Sequence, residues 1–378
     1  MFNIKQDTYL LLVIITLVLL GLIMLVSASI NTSQTKFDEP LYFFWRQLSY
    51  VGFGVLLAAI VVFIPIKTWQ YLSVPLLLLG TLLLILTLIP GIGHEVNGSM
   101  RWINLRFIRF QPSELMKLFM VLYLAGYLVR RSAEVREALS GFLKPIALVC
   151  IITSLLLLEP DYGTIVVLFS AVLGMLFLAG VPMRQFFLWV FIVMLVLSFL
   201  IILVPYRLER LTTFIDPWQD PFNSGFQLTQ ALIAIGQGEL FGLGLGNSIQ
   251  SVTYLPEAHT DFLFAIIAEE LGLVGVIVVI GLFTFLILRI FAIAFRTERC
   301  NLHYAAYLTY GIGLTIGLQT SINLGVNMGL LPTKGLTLPL MSYGGSSIIV
   351  TFIMLAILLR VDYETMQFIQ QKTNAKQR

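Results

Sequence analysis

The sequence predicts an all-α polytopic membrane protein, and three observations carry that prediction. Of its 378 residues, 58% are hydrophobic and 11% charged, whereas a soluble domain carries about 25% charged residues. The apolar residues gather into ten runs, near 8–30, 46–64, 70–90, 113–129, 145–158, 163–181, 186–205, 262–288, 304–330 and 346–360. A helix needs about 20 apolar residues to cross a bilayer. The basic residues between these runs are unevenly shared between the two sides. The expectation is a single transmembrane domain over residues 1–378 with about ten transmembrane helices.

The first run is too long for a signal-peptide core, and its flank "MFNIKQD" holds one Lys, so it reads as a retained span. The fifth run, 145–158, has only 14 residues, and the tenth is also short. With a cytoplasmic N-terminus, fourteen of the 23 Lys and Arg fall on inner segments and eight on outer ones, with Lys117 inside a span. The positive-inside rule therefore puts both termini, including a tail at about 361–378, in the cytoplasm. One sizeable hydrophilic connection, about 206–261, lies outside. Its apolar piece "GFQLTQALIAIG" (225–236) is too short to span and fits a re-entrant or interfacial helix.

Several function classes drop out. A net charge of +3 does not suggest nucleic acid, and Cys150 and Cys300 make no disulfide framework. His94, His259 and His303 share no metal-ligand spacing. "GLGLGN" (242–247) lacks the third glycine of a dinucleotide motif, and "LLPTKGLTLPLMSYGGSS" (330–347) lacks P-loop spacing. Both read as tight turns or close backbone approaches. No internal repeat is visible, which disfavours a transporter built from inverted repeats.

Ionisable groups at membrane depth cost about 2.5–3.5 kcal/mol each on insertion scales and are usually functional. Here they cluster. In "RWINLRFIRFQPSELMK" (101–117), Arg101, Arg106 and Arg109 sit outside against the orientation rule and suit an anionic headgroup such as a pyrophosphate. Lys36 and Arg46 serve as the solvated comparison. Glu114 and Lys117, at i and i+3 after Pro112, read as an ion pair that lets the helix insert, or as catalytic groups. In "LLLLEPDYGT" (155–164), Glu159 and Asp161 sit on a turn expected below the outer surface, where Asp161 either caps the next helix or meets substrate. Gln319, Asn323 and Asn327 share one helical face, a pattern that more often glues helices together than binds substrate. In "PEAHTDFLF" (256–264), Asp261 stands at the outer mouth of a span, as a helix N-cap or as chemistry at the membrane surface. One carboxylate at the mouth of a span, several cations including Lys334, and no nucleotide site suggest transfer between lipid-borne, already activated substrates.

The strings "NGSMRWINLRFIRFQPSELMK", "EPDYGT", "IDPWQDPFNSGFQLTQALIAIGQGELFGLGLGNS", "YLPEAHTDFLFAIIAEELGLVG" and "LPTKGLTLPLMSYGGSS" resemble the SEDS family of peptidoglycan glycosyltransferases across essentially the whole chain. "YLVRRSAEVR", "PEAHTDF" and "LPTKGLTLPL" fit its cell-division branch better than its elongation or sporulation branches. The resemblance implies a ten-helix enzyme of the bacterial inner membrane that polymerises lipid II at the septum. It also implies a catalytic aspartate at Asp261, an interhelical pair at Glu114 and Lys117, and Asp161 as the family's "PD" aspartate. The implied partners are a class B penicillin-binding protein and divisome regulatory proteins.

On this reading Asp261 takes the proton of the acceptor's 4-hydroxyl while that oxygen attacks the donor's anomeric carbon. Undecaprenyl pyrophosphate leaves with inversion. Arg101, Arg106, Arg109, Lys334 and Asp161 are the candidate substrate-binding residues, with Glu114, Lys117, Gln319, Asn323 and Asn327 in support. A divalent cation such as Mg2+ is the one cofactor considered for the leaving group. The rival readings are a lipid II flippase and a non-catalytic divisome scaffold.

Overall fold

The computed structural model describes residues 7–96, 99–104, 109–202, 214–221, 223, 225–250, 255, 258–332 and 335–376. Arg106 and Lys334, both candidate substrate-binding residues, lie outside the described residues.

The chain runs α1 (Thr8–Phe37), α2 (Tyr42–Val61), α3 (Ile66–Thr87), then a small antiparallel sheet of β1 (Gly93–Val96), β2 (Ser99–Asn104) and β3 (Arg109–Phe110). It continues through α4 (Pro112–Arg130), the short α5 (Ser132–Glu137), α6 (Leu139–Leu158), α7 (Tyr162–Leu178) and α8 (Met183–Ile202). The last elements are α9 (Phe226–Gln237), α10 (Leu263–Arg299), α11 (His303–Asn327) and α12 (Gly345–Lys376). Among the described residues, each of the ten apolar runs lies on one of the long helices, and seven of those are long and apolar enough to cross a membrane. The protein is thus a helical, polytopic membrane protein. α11 carries no Asp, Glu, Lys or Arg, but Tyr, Gly, Thr and amide residues dilute its apolar content.

The helices are arranged around α4. Its apolar stretch is 83% buried, against 22% for α2 and 28% for α3, because it packs on α3, α7, α11 and α12 at once. The sheet is an addition to the all-α expectation. Its register pairs His94 with Trp102 and Asn104 with Arg109. Little in the sequence signals it, because the cations of "RWINLRFIRF" stand five and three residues apart, not at the period of two that marks a strand.

The fifth span is a full helix, not the 14-residue run read from the sequence. α6 has 20 residues and contains Pro145 as its seventh. A proline inside a helix cannot bond the carbonyl four residues back, here that of Gly141. The Tyr127 hydroxyl of α4 donates to that carbonyl at 2.9 Å, so the helix continues through the proline with the lost partner replaced.

α10 is broken near its start. Gly272 has φ 64° and ψ −163°, a conformation essentially confined to glycine. The break frees two carbonyls before it and two N–H groups after it, and the segment following α9 supplies partners for all four. Leu243 N donates to Glu269 O (2.9 Å) and Gly244 N to Glu270 O (3.0 Å), while Leu273 N donates to Glu239 O (3.0 Å) and Val274 N to Leu240 O (3.2 Å). This strap explains "GLGLGN". A Cβ on Gly242 would lie 2.1 Å from Glu270 O, and Gly242, Gly244 and Gly246 all have positive φ. The half-helix before the break is buried from Leu263 to Glu270, and its last two residues are tied down by side chains. Glu269 accepts from Ser248 Oγ and from Ile249 N at 2.9 Å, and Glu270 accepts from Ser27 Oγ of α1.

At the opposite end of the bundle, basic residues act as staples. Asp7 caps α1 and pairs with Arg289 of α10. Arg296 meets Asp362 at 3.5 Å, and Glu364 accepts from both Arg360 Nε (2.7 Å) and Ile66 N (3.1 Å).

Gly272→Ala is expected to destabilise the protein by at least about 1–3 kcal/mol, the cost of one residue held in such a conformation. Its Cβ would also lie 2.4 Å from Gly242 N. Gly281→Ala on the same helix meets nothing within 4 Å and should stabilise by roughly 0.5–1 kcal/mol. Thermal melting of the two variants in detergent checks the pair, and equal midpoints would remove the strap's tight fit as the cause.

Candidate active site

Asp261 stands at the start of the buried half-helix of α10. The helix's N-cap position falls on Phe262, which has no capping side chain, so the capping role does not fall to Asp261. Its main-chain carbonyl accepts two amide bonds from α11, Asn323 Nδ2 at 2.9 Å and Asn327 Nδ2 at 3.0 Å. Its carboxylate lies against the segment between α11 and α12, where a Cβ added to Gly335 would be 3.0 Å from Asp261 Oδ2. That segment rests in turn on the start of α7, where a Cβ on Gly163 would meet Leu336 Cγ at 2.7 Å. Asp261, the 335–336 segment and the "PDYG" turn, far apart in the sequence, therefore meet at one end of the bundle.

Beneath them lies the ion pair expected on α4. Lys117 is only 2% exposed, and its ammonium donates to Glu114 Oε1 at 2.8 Å and to Gln319 Oε1 at 2.7 Å. Gln319 Nε2 passes the contact on to Thr337 O at 3.0 Å, and Thr337 Oγ1 bonds Ser347 Oγ of α12 at 2.9 Å. A buried charge is tolerated when it is paired and hydrogen-bonded. This one is both, and the same network anchors the segment that faces Asp261. Gln319, Asn323 and Asn327 thus do hold the structure together, at this site in particular.

The 159–161 turn is built inward rather than toward a surface open to substrate. Asp161 is 2% exposed. It caps α7 through Thr164 N (3.3 Å), and its Oδ2 accepts from Ser113 Oγ (2.8 Å), Thr164 Oγ1 (2.9 Å) and Gln111 Nε2 (3.1 Å). Its two oxygens are already engaged, so the structure moves Asp161 from the substrate-binding set to the scaffold. Arg101 pins the same turn. Its Nε donates to Glu159 O at 2.9 Å and its Nη2 to Pro160 O at 2.5 Å, which engages two of the guanidinium's five N–H donors. Of the three arginines, Arg109 is exposed on β3, beside Ser346 Oγ, which accepts from Gln111 N at 2.9 Å.

Glu159 is fully buried, and its Oε2 has no partner. Burial pushes its carboxyl from the ordinary value near 4.5 up to about 8, with Thr87 and Arg101 opposing and Asp161 adding to the rise. Thr87 Oγ1 lies within hydrogen-bond distance of both Leu84 O and Glu159 Oε1. A hydroxyl has one proton, so a protonated Glu159 can supply the second of these bonds.

Other members of the site escaped the sequence reading. Gln47 of α2 donates to Ser342 O at 3.0 Å and accepts from Gly344 N at 3.3 Å, fixing the segment before α12. His259 is buried, 4.3 Å from Phe43 and 5.7 Å from Tyr343 between ring centroids, and its carbonyl accepts from Tyr343 N at 3.0 Å. Arg46 is not a solvated comparison for the other arginines. It donates to Tyr42 Oη (2.9 Å) and Tyr50 Oη (3.0 Å) and stacks over both rings. Tyr42, Arg46 and Tyr50 recur every four residues, so this contact was legible as one helical face.

Two outcomes follow from these contacts. Glu114→Ala should lose about 3–5 kcal/mol of stability, because it leaves a buried ammonium short of its counter-charge. Glu114→Ala with Lys117→Ala should lose less, and equal melting temperatures for single and double variants would sink the pairing. For Glu159, the folded state keeps a proton between pH 4.5 and 8 that the unfolded state releases. Stability should therefore fall as pH rises through that window and level off above it. Glu159→Gln should flatten the slope, which melting curves at several pH values would reveal.

Comparison with known proteins places this architecture. The sequence pattern shared by the cell cycle proteins FtsW, RodA and SpoVE matches residues 7–367. A probable peptidoglycan glycosyltransferase FtsW of Nitrosococcus halophilus is 56% identical over 361 residues, covering 96% of this chain and 93% of that relative. The probable peptidoglycan glycosyltransferase FtsW of Coxiella burnetii is 53% identical over 366 residues, covering 96% and 97%. Among solved structures, a chain from a peptidoglycan synthase complex that coordinates polymerization and crosslinking superposes with TM-score 0.81 at 33% identity, covering 96% of this chain and 99% of that one. The rod shape determining protein RodA of Thermus thermophilus superposes with TM-score 0.71 at 31% identity, covering 95% and 97%. With a matched pattern over nearly its whole length and relatives above 50% identity, the chain belongs to the FtsW/RodA/SpoVE family of cell cycle proteins.

Proposed function

We propose that this protein is the peptidoglycan glycosyltransferase its relatives are named for, polymerising lipid II into β-1,4 glycan strands during septal wall synthesis. One observation carries the reading. Asp261 is held through its main-chain carbonyl from α11, and its carboxylate faces the segment that follows Lys334 in sequence. Asp261 accepts the proton of the acceptor's 4-hydroxyl as that oxygen bonds to the donor's anomeric carbon. The bond from that carbon to the pyrophosphate oxygen breaks with inversion, and undecaprenyl pyrophosphate leaves.

The negative charge on the leaving group calls for preorganised cations. Exposed Arg109 and, by sequence, Arg106 and Lys334 fill that role. Among the described residues, no three His, Cys, Asp or Glu side chains come together as metal ligands. The even number of apolar runs and the excess of Lys and Arg on the segments assigned to the inside support cytoplasmic termini and a site on the outer face of the inner membrane. The likeness to a chain of a synthase complex that also crosslinks supports a penicillin-binding transpeptidase as partner, with divisome regulators acting on the pair.

Purified protein in detergent, given lipid II with and without its transpeptidase, tests the reading through the length and yield of glycan strands. Asp261→Asn should fold normally and make no strands, while Arg109→Gln should weaken lipid II binding or slow turnover. Normal strand yield from Asp261→Asn would remove Asp261 as the base.

A further inference from the structure

The carboxamide of Asn327 does something that helix adhesion alone does not require. Asn327 is fully buried near the end of α11. Its Nδ2 donates to Asp261 O at 3.0 Å, and its Oδ1 accepts from Ala265 N at 3.1 Å. Residues 261 and 265 are four apart, so in a regular helix that carbonyl and that N–H would bond each other. The side-chain amide is instead inserted between them, with its donor and acceptor each facing one half of the missing bond. Ala265 N keeps the tighter three-residue contact to Phe262 O at 3.0 Å. Asn323, one turn earlier on α11, donates to the same Asp261 carbonyl at 2.9 Å and to Leu336 O at 2.5 Å. Asn327 Nδ2 also reaches Asn323 O at 2.8 Å, which ties the two amides together.

We infer that Asn327 is a positioning residue for Asp261. It bridges the residue before the N-cap to the first turn of α10, a turn that Ile266 N closes on Phe262 O at 3.4 Å, and so fixes the backbone from which the carboxylate is directed toward Gly335. Asn323 holds Leu336 against the same carbonyl, so the two sides of the site, at 261 and at 335–336, hang from adjacent turns of one helix. Few side chains meet the requirement. A donor and an acceptor must sit side by side at the reach of Asn. Asp lacks the donor, Leu lacks both, and Gln is one methylene too long. The inference rests on the proposed role of Asp261 as base. Displacement of a reacting group by 1 Å can cost on the order of 10²-fold in rate, so a clamp on its main chain has direct leverage on turnover.

The test uses the full-length protein in detergent. Asn327→Ala should lower turnover of lipid II by about tenfold or more while leaving its KM unchanged. Asn327→Gln should not restore the rate. A second measurement is independent of catalysis. With Cys150 and Cys300 replaced by Ser, Asp261→Cys is alkylated by a small charged thiol reagent in the presence of Asn327 and again with Asn327→Ala. The rate at position 261 should change several-fold, while that of a cysteine at exposed Glu39 stays constant. Should Asn327→Ala fail to purify, Asn323→Ala removes one of the two donors to the carbonyl, leaves the 261–265 bridge intact, and should shift both readouts in the same direction. Wild-type turnover with unchanged alkylation would overturn the inference. So would a loss confined to melting temperature, which is what simple helix adhesion predicts. Full activity of Asp261→Asn would instead defeat the base assignment, and the alkylation comparison would still decide the clamp.

Discussion

The buried ammonium of Lys117 sets the constraint on which the site depends. An isolated charge in the interior of a membrane bundle is costly, so the chain must bring partners to it from wherever it can. Glu114 comes from the same helix and Gln319 from α11. Gln319 then extends the contact to the segment before α12 through Thr337. The charge therefore fixes the rotation of α11 relative to α4. That rotation turns Asn323 and Asn327, one and two turns further along the same face, toward the start of α10. A single pairing requirement in the core so determines where the carboxylate of Asp261 is held.

A second constraint runs through the irregular backbone. A polar main-chain group at membrane depth must find a partner within the protein, and at each interruption described here a specific one is supplied. The strap after α9 serves the break at Gly272. The hydroxyl of Tyr127 takes the carbonyl that Pro145 leaves free, and Arg101 takes two carbonyls of the turn after α6. The residues that looked most like ligands for an anion are thus divided by this requirement. Arg101 and Asp161 complete the scaffold, and Arg109 is exposed on the sheet. The chemistry at the site is left to a small number of groups held by a rigid frame.

Much of this was readable without coordinates. Length and apolar content of the runs determined the bundle, because a bilayer demands about 20 apolar residues per crossing. The i, i+3 spacing determined that Glu114 and Lys117 would pair, and the i, i+4 spacing placed Gln319, Asn323 and Asn327 on one face, since both are properties of a single helix. The glycines of "GLGLGN" announced a close backbone approach for the same local reason. What the backbone approached was not readable. Its partner is the break in α10, and no pattern within 242–247 names a helix that begins more than fifteen residues later.

Only the tertiary structure decided which polar groups meet. Whether Asp161 and Arg101 face substrate or each other's turn, whether Arg46 is solvated or caged by tyrosines, and which carbonyl the Asn327 amide serves all depend on contacts between segments far apart in the chain. Periodicity reports which way a residue points from its own helix axis. It carries no information on what stands opposite, because that is set by how the helices pack and rotate to satisfy their buried polar atoms together.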